Sequence, residues 1–324
     1  MSILVDSYTR RINYLRISVT DRCNLRCIYC MPDEGVQWIS HNEILTYEEI
    51  VRVVRAVADL GINKIRLTGG EPLVRANLAQ LVSMISGING IDEISLTTNG
   101  TLLKNYAFEL KRAGLQRVNI SLDTFKADRF KRITRLGTLQ DTLDGIEAAK
   151  KAGLTPVKID MVVIRGLNDD EVLDFAIKSY EPEWHVRYIE LMPLSNIGGL
   201  VSVHEMRSKI ETLGKLEPAP SIEGNGPASY YRLPGAKGTI GFISPVTEPF
   251  CSSCNRLRLT SFGQLCPCLL SDRGVDLKTP LRKGNLTEEE LKQIIRELVA
   301  SKPLKHGLGS DRDTLSRKMS QIGG

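Results

Sequence analysis

The stretch LRISVTDRCNLRCIYCMP, residues 15–32, opens on a strand-forming run and passes into a loop carrying Cys23, Cys27 and Cys30. Outward from it, as far as Met192, short β-branched runs alternate with amphipathic stretches of helix length, the pattern of repeated βα units around a parallel sheet. The strands are expected at residues 15–19, 64–68, 93–98, 117–122, 157–164 and 186–191. Ile50, Val53, Val54 and Val57 share one face of the helix after the first loop, with Arg52, Arg55 and Asp59 off it, and Gly61 stops it. Further helices are expected over 78–85, 102–113, 138–152 and 170–179, with Gly114 and Gly153 just past two of the ends. Six βα units suit an incomplete barrel, since a closed one needs eight.

Beyond Met192 the pattern changes. Pro193, Gly198, Gly199 and the Pro/Gly-containing stretch 217–227 mark loops around a helix at 203–213, for which Ser202 and Glu205 have capping-box spacing. Residues 230–233, 239–243 and 257–260 read as strands of an antiparallel addition. A last helix, capped by Thr287 with Glu290, turns Leu291, Ile294, Ile295 and Leu298 inward. The division expected is therefore a partial barrel over 1–192 and an α+β region over 193–324 that ends in a tail, 301–324, with too few apolar residues to fold alone.

At 42% apolar and 25% charged residues the 324-residue chain has globular composition, which excludes a disordered or collagen-like chain. It holds no apolar run of the ~18 residues a membrane span needs, and its first residues lack the apolar core of a signal peptide, so a cytoplasmic protein is expected. The net charge of +5 is mild and scattered, without the basic block of a nucleic-acid-binding arm. His41, His185, His204 and His306 share no ligand spacing and read as surface or core residues. Neither a catalytic triad, a P-loop nor a dinucleotide fingerprint occurs.

The seven cysteines fall in two groups, and clustered cysteines in a reducing compartment read as metal ligands or catalytic thiols before disulfides. Cys23, Cys27 and Cys30 make C-x3-C-x2-C at the strand end where barrel active sites lie. Three ligands leave one iron of a [4Fe-4S] cube open to a substrate or cofactor; a zinc site or three core thiols are the competing readings. Cys251, Cys254 and Cys268 make C-x2-C-x13-C and point to a second such cluster, against a closed four-cysteine zinc site that would include Cys266.

The first motif, with the aromatic Tyr29 before its third cysteine, resembles that of the radical S-adenosylmethionine (SAM) superfamily. Thr68, Gly69, Gly70, Glu71 and Pro72 resemble its glycine-rich SAM-contacting segment, where bare glycines admit close backbone approach. Taken with FCSSCNRLRLT at 250–260 and the terminal Gly323 and Gly324, the chain resembles the MoaA family, the GTP 3′,8-cyclases of molybdenum-cofactor biosynthesis. That resemblance implies two [4Fe-4S] clusters, SAM as cofactor, and closure of the GTP ribose C3′ onto guanine C8 after abstraction of the 3′ hydrogen. It implies Cys268 rather than Cys266 as the sixth ligand, SAM contacts from Tyr29, Gly70, Ser121 and Met192, and GTP contacts from Arg16, Arg66, Thr97, Lys158, Arg256, Leu257 and Arg258. It also implies a catalytic role for Gly323 and Gly324, a flavodoxin- or ferredoxin-type reductant, a MoaC-type cyclic pyranopterin monophosphate synthase downstream, and a homodimer. Buried cations are costly without a counter-charge, and a triphosphate supplies charge-assisted, bidentate partners for such a set. The rivals are a peptide-modifying two-cluster radical SAM enzyme, which leaves the terminal Gly-Gly and the CNRLR segment unexplained, and a noncatalytic iron–sulfur or zinc protein, which needs four ligands per site.

Overall fold

The computed structural model describes residues 3–193, 197–222, 226–271, 273–284 and 286–307. Six strands, β1 (Tyr14–Ser18), β2 (Lys64–Thr68), β3 (Glu93–Thr98), β4 (Arg117–Ser121), β5 (Lys158–Arg165) and β6 (His185–Glu190), run parallel and pair in chain order. The connecting helices include α1 (Tyr47–Asp59), α2 (Leu78–Ser86), α3 (Leu103–Arg112), α4 (Ala127–Thr134) and α5 (Leu139–Lys151). Residues 170–179, expected as one helix, form a short α6 (Val172–Ile177) between two 3-10 turns. Its start is held by other bonds: the Glu171 carboxylate accepts from Thr124 Oγ1 and from the Phe125 N–H, and does not serve its own helix end.

Each strand has two kinds of face. Leu15 and Ile17, Ile65 and Leu67, Ile94 and Leu96, Val118 and Ile120, and Ile159, Met161 and Val163 belong to the main hydrophobic core. Full burial of one such side chain contributes about 1.5–3 kcal/mol, so this layer carries the fold. The α1 stripe of Ile50, Val53, Val54 and Val57 is buried against it. The alternate positions are polar: Arg16 and Ser18, Arg66 and Thr68, Ser95 and Thr97, Arg117, Asn119 and Ser121, Lys158 and Asp160, and His185 and Arg187. Arg66 on β2 feels the charge of Arg187 on β6. Four strand spacings of ~4.8 Å would part them by roughly 19 Å in a flat sheet, so the sheet curls and the polar face becomes a lumen.

The C-terminal strands depart from expectation. After β7 (Gly199–Leu200), which pairs with β5, and β8 (Glu217–Pro218) and β9 (Ser229–Arg232), strand β10 (Thr239–Ile243) lies parallel to β6. Strand β11 (Arg256–Leu259) lies parallel to β1. The sequence pattern places both in an antiparallel addition. They instead extend the parallel sheet at its two edges, and only their outer neighbours, β9 on β10 and β12 (Gln264–Cys266) on β11, are antiparallel, with β13 (Val275–Asp276) beyond β12. An exposed parallel edge leaves backbone donors and acceptors unpaired, and the C-terminal segment covers both. The sheet is thus continuous across the boundary expected at residue 192.

Helices α7 (Val203–Ile210), α8 (Lys278–Lys283) and α9 (Glu288–Ala300) complete the described elements. The capping boxes at Ser202/Glu205 and Thr287/Glu290 are both reciprocal, for example Glu290 N–H to Thr287 Oγ1 at 3.2 Å and Thr287 N–H to Glu290 Oε2 at 2.8 Å. In α9 Leu291, Ile295, Leu298 and Val299 are buried, and Ile294 only partly. No helix among the described residues is long and apolar enough to cross a membrane.

Candidate active site: a cation-lined lumen between two sets of thiols

Cys23, Cys27 and Cys30 follow the C-terminal end of β1, and their loop is fixed by backbone bonds. Gly70 N–H donates to the Thr20 carbonyl at 2.8 Å and Glu71 N–H to the Arg22 carbonyl at 2.7 Å. From the other side, Arg26 and Ile28 N–H donate to the carbonyls of Thr134 and Ile133. The close approach that the glycines of the 68–72 segment permit is therefore, in this structure, an approach to the cysteine loop. A Cβ on Gly70 would lie 2.3 Å from the Arg22 oxygen.

Burial, together with Glu71 and Cys30, pushes the Cys23 thiol up to about 12. Burial, Asp123 and the two other cysteines raise Cys27 far above the usual thiol range. The three thiols thus share one neighbourhood, and Cys23 and Cys27 are protonated at neutral pH; metal binding would displace those protons. A small cavity lined by Cys27, Tyr29, Asn99, Ser121 and Asp123, among others, opens beside them. Tyr29 donates its hydroxyl to Asp123 at 2.7 Å, and burial raises the Asp123 carboxyl to about 6. Met192, just past β6, is half-buried.

The second set lies at the opposite end of the strands. Arg256 is in register with Tyr14 at the start of β1, and Cys251 and Cys254 precede it; Cys268 follows β12, which returns antiparallel. Although burial opposes it, Arg256 and Lys302 hold the Cys254 thiol at about 7, and Arg256 Nη2 reaches its sulfur at 3.7 Å. Burial and the Cys254 charge raise Cys268. Cys266 is buried, whereas Cys251, Cys254 and Cys268 are only half-buried. As the side chains stand, no three His, Cys, Asp or Glu among the described residues gather closely enough to share a single metal ion. The first group offers three soft thiols and the second four, counting Cys266, donors that suit iron–sulfur ligation.

Between the two sets lie the cations. Arg258, Arg16 and Arg66 form a row across β11, β1 and β2, and Arg66 donates to the Tyr14 hydroxyl and to Thr97 Oγ1 at 3.2 Å. Burial and then Arg258 depress Arg16, burial and then Arg256 bring Arg258 down to about 10, and burial lowers Arg66. Lys158, under burial and the charges of Arg187, Arg117 and Arg66, falls to about 6. His185, burdened by burial and by Lys158, falls to about 4. Tyr14 reports the same field with opposite sign: burial notwithstanding, Arg66, Arg16 and Arg117 lower its phenol to about 8. Leu257 is the exception among the expected contacts. It pairs with Leu15 and is wholly buried in the apolar core, so its side chain points away from the lumen that Arg256 and Arg258 face. Gly323 and Gly324 lie outside the described residues.

Several residues of this site carry no motif. Asn99 donates to Asn24 Oδ1 at 2.9 Å and reaches the Cys23 sulfur at 3.9 Å. Arg187 holds Asp160 by two 2.6 Å bonds, and Arg117 pairs with Glu93. The buried Glu190 carboxylate accepts from the N–H groups of Val203, Val246 and Thr247, each at 3.0 Å, and so ties β6 to the C-terminal loops. The signal that could have found the lumen residues is their strand alternation, with polar side chains at every second position of β1 to β4 and at the first two such positions of β5 and β6.

A curled parallel sheet with a three-thiol loop at the C-terminal end of its first strand defines a radical SAM enzyme, and residues 17–177 match the family model described as "Radical SAM superfamily". Residues 184–308 match "Molybdenum Cofactor Synthesis C". The chain belongs to the GTP 3′,8-cyclase family: it is 55% identical over 326 residues to a GTP 3′,8-cyclase of Pelotomaculum thermopropionicum, covering 98% of this chain and 99% of the relative. It is 51% identical to one of Moorella thermoacetica, with 98% and 99% covered. Among solved structures, Streptococcus suis SuiB shares the fold with a TM-score of 0.62 at 12% identity, over 92% of this chain and 68% of that one.

Proposed function

We propose that the residues of this GTP 3′,8-cyclase divide the family's reaction along the lumen axis. Cys23, Cys27 and Cys30 hold one [4Fe-4S] cluster, with Tyr29, Gly70, Ser121 and Met192 receiving SAM beside it. Cys251, Cys254 and Cys268 hold the other. Arg16, Arg66, Thr97, Lys158, Arg256 and Arg258 bind GTP between them; for Leu257 the contact falls to its backbone. When bound, the reduced cluster and SAM would supply the one-electron chemistry for removal of the ribose 3′ hydrogen, which the family's closure of C3′ onto guanine C8 requires. The observation that carries this reading is the row of buried cations in register across β11, β1 and β2, with Arg16 depressed by both of its neighbours, between two thiol sets. The four residue steps of β1 span about 13 Å at ~3.3 Å each, a distance a nucleotide can bridge. Charged phosphates relieve the repulsion among Arg16, Arg66 and Arg258, and Arg guanidiniums offer them paired N–H donors.

Gly323 and Gly324 belong to this reading as a tail reaching the nucleotide. Its support here is that the last described residues leave from the second site, where Arg10 Nη1 bonds the Cys251 carbonyl at 2.7 Å and the Leu304 carbonyl at 3.3 Å. A flavodoxin- or ferredoxin-type reductant, a MoaC-type synthase taking the product, and a homodimer complete the proposed reading on the strength of the family.

The test is an anaerobic turnover with GTP deuterated at the ribose 3′ position, followed by mass analysis of 5′-deoxyadenosine. Deuterium is expected in deoxyadenosine, with a cyclised guanine nucleotide beside it; deoxyadenosine without deuterium, and GTP unchanged, overturns the reading.

A pH dependence follows from Lys158. At about 6 its amine is mostly neutral at pH 7, and an arriving triphosphate favours the ammonium. GTP binding should therefore take up a proton, and affinity should fall as pH rises from about 6 toward 8, by up to about tenfold per unit. Calorimetric titration in buffers of different ionisation enthalpy measures the uptake; Lys158→Met should bind more weakly and lose that dependence.

A further inference from the structure

Lys302, two residues beyond α9, is buried behind the second thiol set, only 3% exposed. Its Nζ donates to the Arg256 carbonyl at 2.9 Å and to the Pro267 carbonyl. Those acceptors are on different segments: Arg256 is two residues past Cys254, and Pro267 immediately precedes Cys268. Burying an ammonium is costly unless its protons are bonded, so this position is worth occupying only if the lysine does something a packed apolar residue would not.

The same place is braced by a second buried cation. Arg10, ion-paired with Asp6 at 2.5 Å with both side chains buried, turns its remaining donors toward carbonyls. Nη1 bonds the Cys251 carbonyl at 2.7 Å, and Nη2 bonds the carbonyls of Pro303 at 2.8 Å and Lys302 at 3.4 Å. Two cations from opposite ends of the chain thus fix the backbone next to all three cysteines of the set.

We propose that Lys302, braced by the Asp6–Arg10 pair, is a positioning residue that assembles the second three-cysteine site, joining the segment of Cys254 to that of Cys268 before iron arrives. This rests on the reading that Cys251, Cys254 and Cys268 are the ligands. The C-x2-C pair and Cys268 flank the β11–β12 hairpin, whose pairing of Arg258 with Cys266 brings the two segments side by side, and the ladder stops there, short of Arg256 and Pro267. The lysine bridges them through main-chain acceptors, which leaves every sulfur available to iron.

The experiment uses the full chain reconstituted anaerobically with iron and sulfide, comparing Lys302→Met, Lys302→Arg and Cys268→Ser. Iron and sulfide per chain and the electron paramagnetic resonance of the reduced clusters are measured, with uncoupled SAM cleavage reporting on the first cluster. Lys302→Met keeps the aliphatic stem but no donor, and is expected to lose half the iron, as Cys268→Ser does, while keeping SAM cleavage. Lys302→Arg, which can still reach two carbonyls, is expected to retain more of the second cluster. If Lys302→Met holds both clusters while Cys268→Ser loses one, the proposal is overturned and the ligand reading stands. If Cys268→Ser itself keeps both, the ligand reading beneath it falls. Loss of both clusters, or of soluble protein, in Lys302→Met and Lys302→Arg alike would make the lysine a general support of the fold and overturn its positioning role.

Discussion

Cys27→Ser is expected to abolish reductive SAM cleavage, by more than about a thousandfold or roughly 4 kcal/mol of barrier, whereas Cys268→Ser should keep uncoupled cleavage within about tenfold and lose the cyclised nucleotide. The asymmetry comes from position. Cys27 lies in the cavity with Tyr29, Asn99, Ser121 and Asp123, at the C-terminal ends of the strands. Serine there replaces a soft ligand with a hydroxyl that does not ionise at neutral pH, and leaves two thiols where three are needed to hold a cube with one iron open. Cys268 is at the other end of the lumen, beyond the row of Arg16, Arg66 and Arg258. Its loss leaves the first thiol loop untouched, together with the bonds that loop makes to the Ile133 and Thr134 carbonyls of α4. Deoxyadenosine formation without GTP reads the first end, and cyclised product with GTP reads both. Equal loss of uncoupled cleavage in the two variants would show that the ends are not separate in role.

The sequence made the barrel legible because its outer face obeys one rule. Every strand from β1 to β6 is anchored by apolar residues that end in the core, such as Leu15, Ile65 and Val118, and α1, α2, α3 and α5 end at glycines or follow a cap, whereas α4, which has neither signal, is not among the expected helices. The first thiol loop stands out because its spacing is local, whereas the expectation of Cys268 over Cys266 rests on the family resemblance alone. What could not be read were relations between distant segments. Residues 239–243 and 257–260 carry the same strand signal whether their neighbour is parallel or antiparallel, and only the free edges of β6 and β1 determine the outcome. The lumen residues Tyr14, Arg117, Asp160 and Arg187 belong to no motif; they are functional candidates only because the sheet curls and turns one face inward. Leu257 shows the converse. A match to a family position brought it in with its neighbours, yet alternation along β11 sends its side chain to the other face, so what such a position can offer a ligand is main chain.

Gly70→Ala should be the most damaging single-methyl change near the site. The added Cβ would meet the Arg22 oxygen at 2.3 Å, its carbonyl carbon at 2.6 Å and the Asp21 oxygen at 2.9 Å, all backbone atoms that cannot swing aside as a side chain would. Relief is blocked on the Gly70 side, because the next residue, Glu71, is buried and accepts from Thr98 Oγ1 and Asn99 N–H at 2.7 Å and from Leu73 N–H at 3.0 Å. The displacement therefore falls on Thr20, Asp21 and Arg22, and with them on Cys23, which adjoins Arg22. Overpacking of about 1–3 kcal/mol, with loss of the two backbone bonds to Thr20 and Arg22 at about 1 kcal/mol each, gives an expected loss of about 3–5 kcal/mol, several degrees in Tm for a chain of this size. SAM cleavage should fall at least about tenfold, with iron lost from the first set only. Gly87→Ala is the matched control: it ends α2 at φ −82°, and the nearest atoms to its Cβ are 3.8 and 3.9 Å away, so melting temperature and cleavage should be unchanged or slightly improved. A Gly70→Ala protein with normal iron and normal cleavage would mean that the cysteine loop is not held by the segment that follows β2, and the coupling of these two motifs would fail with it.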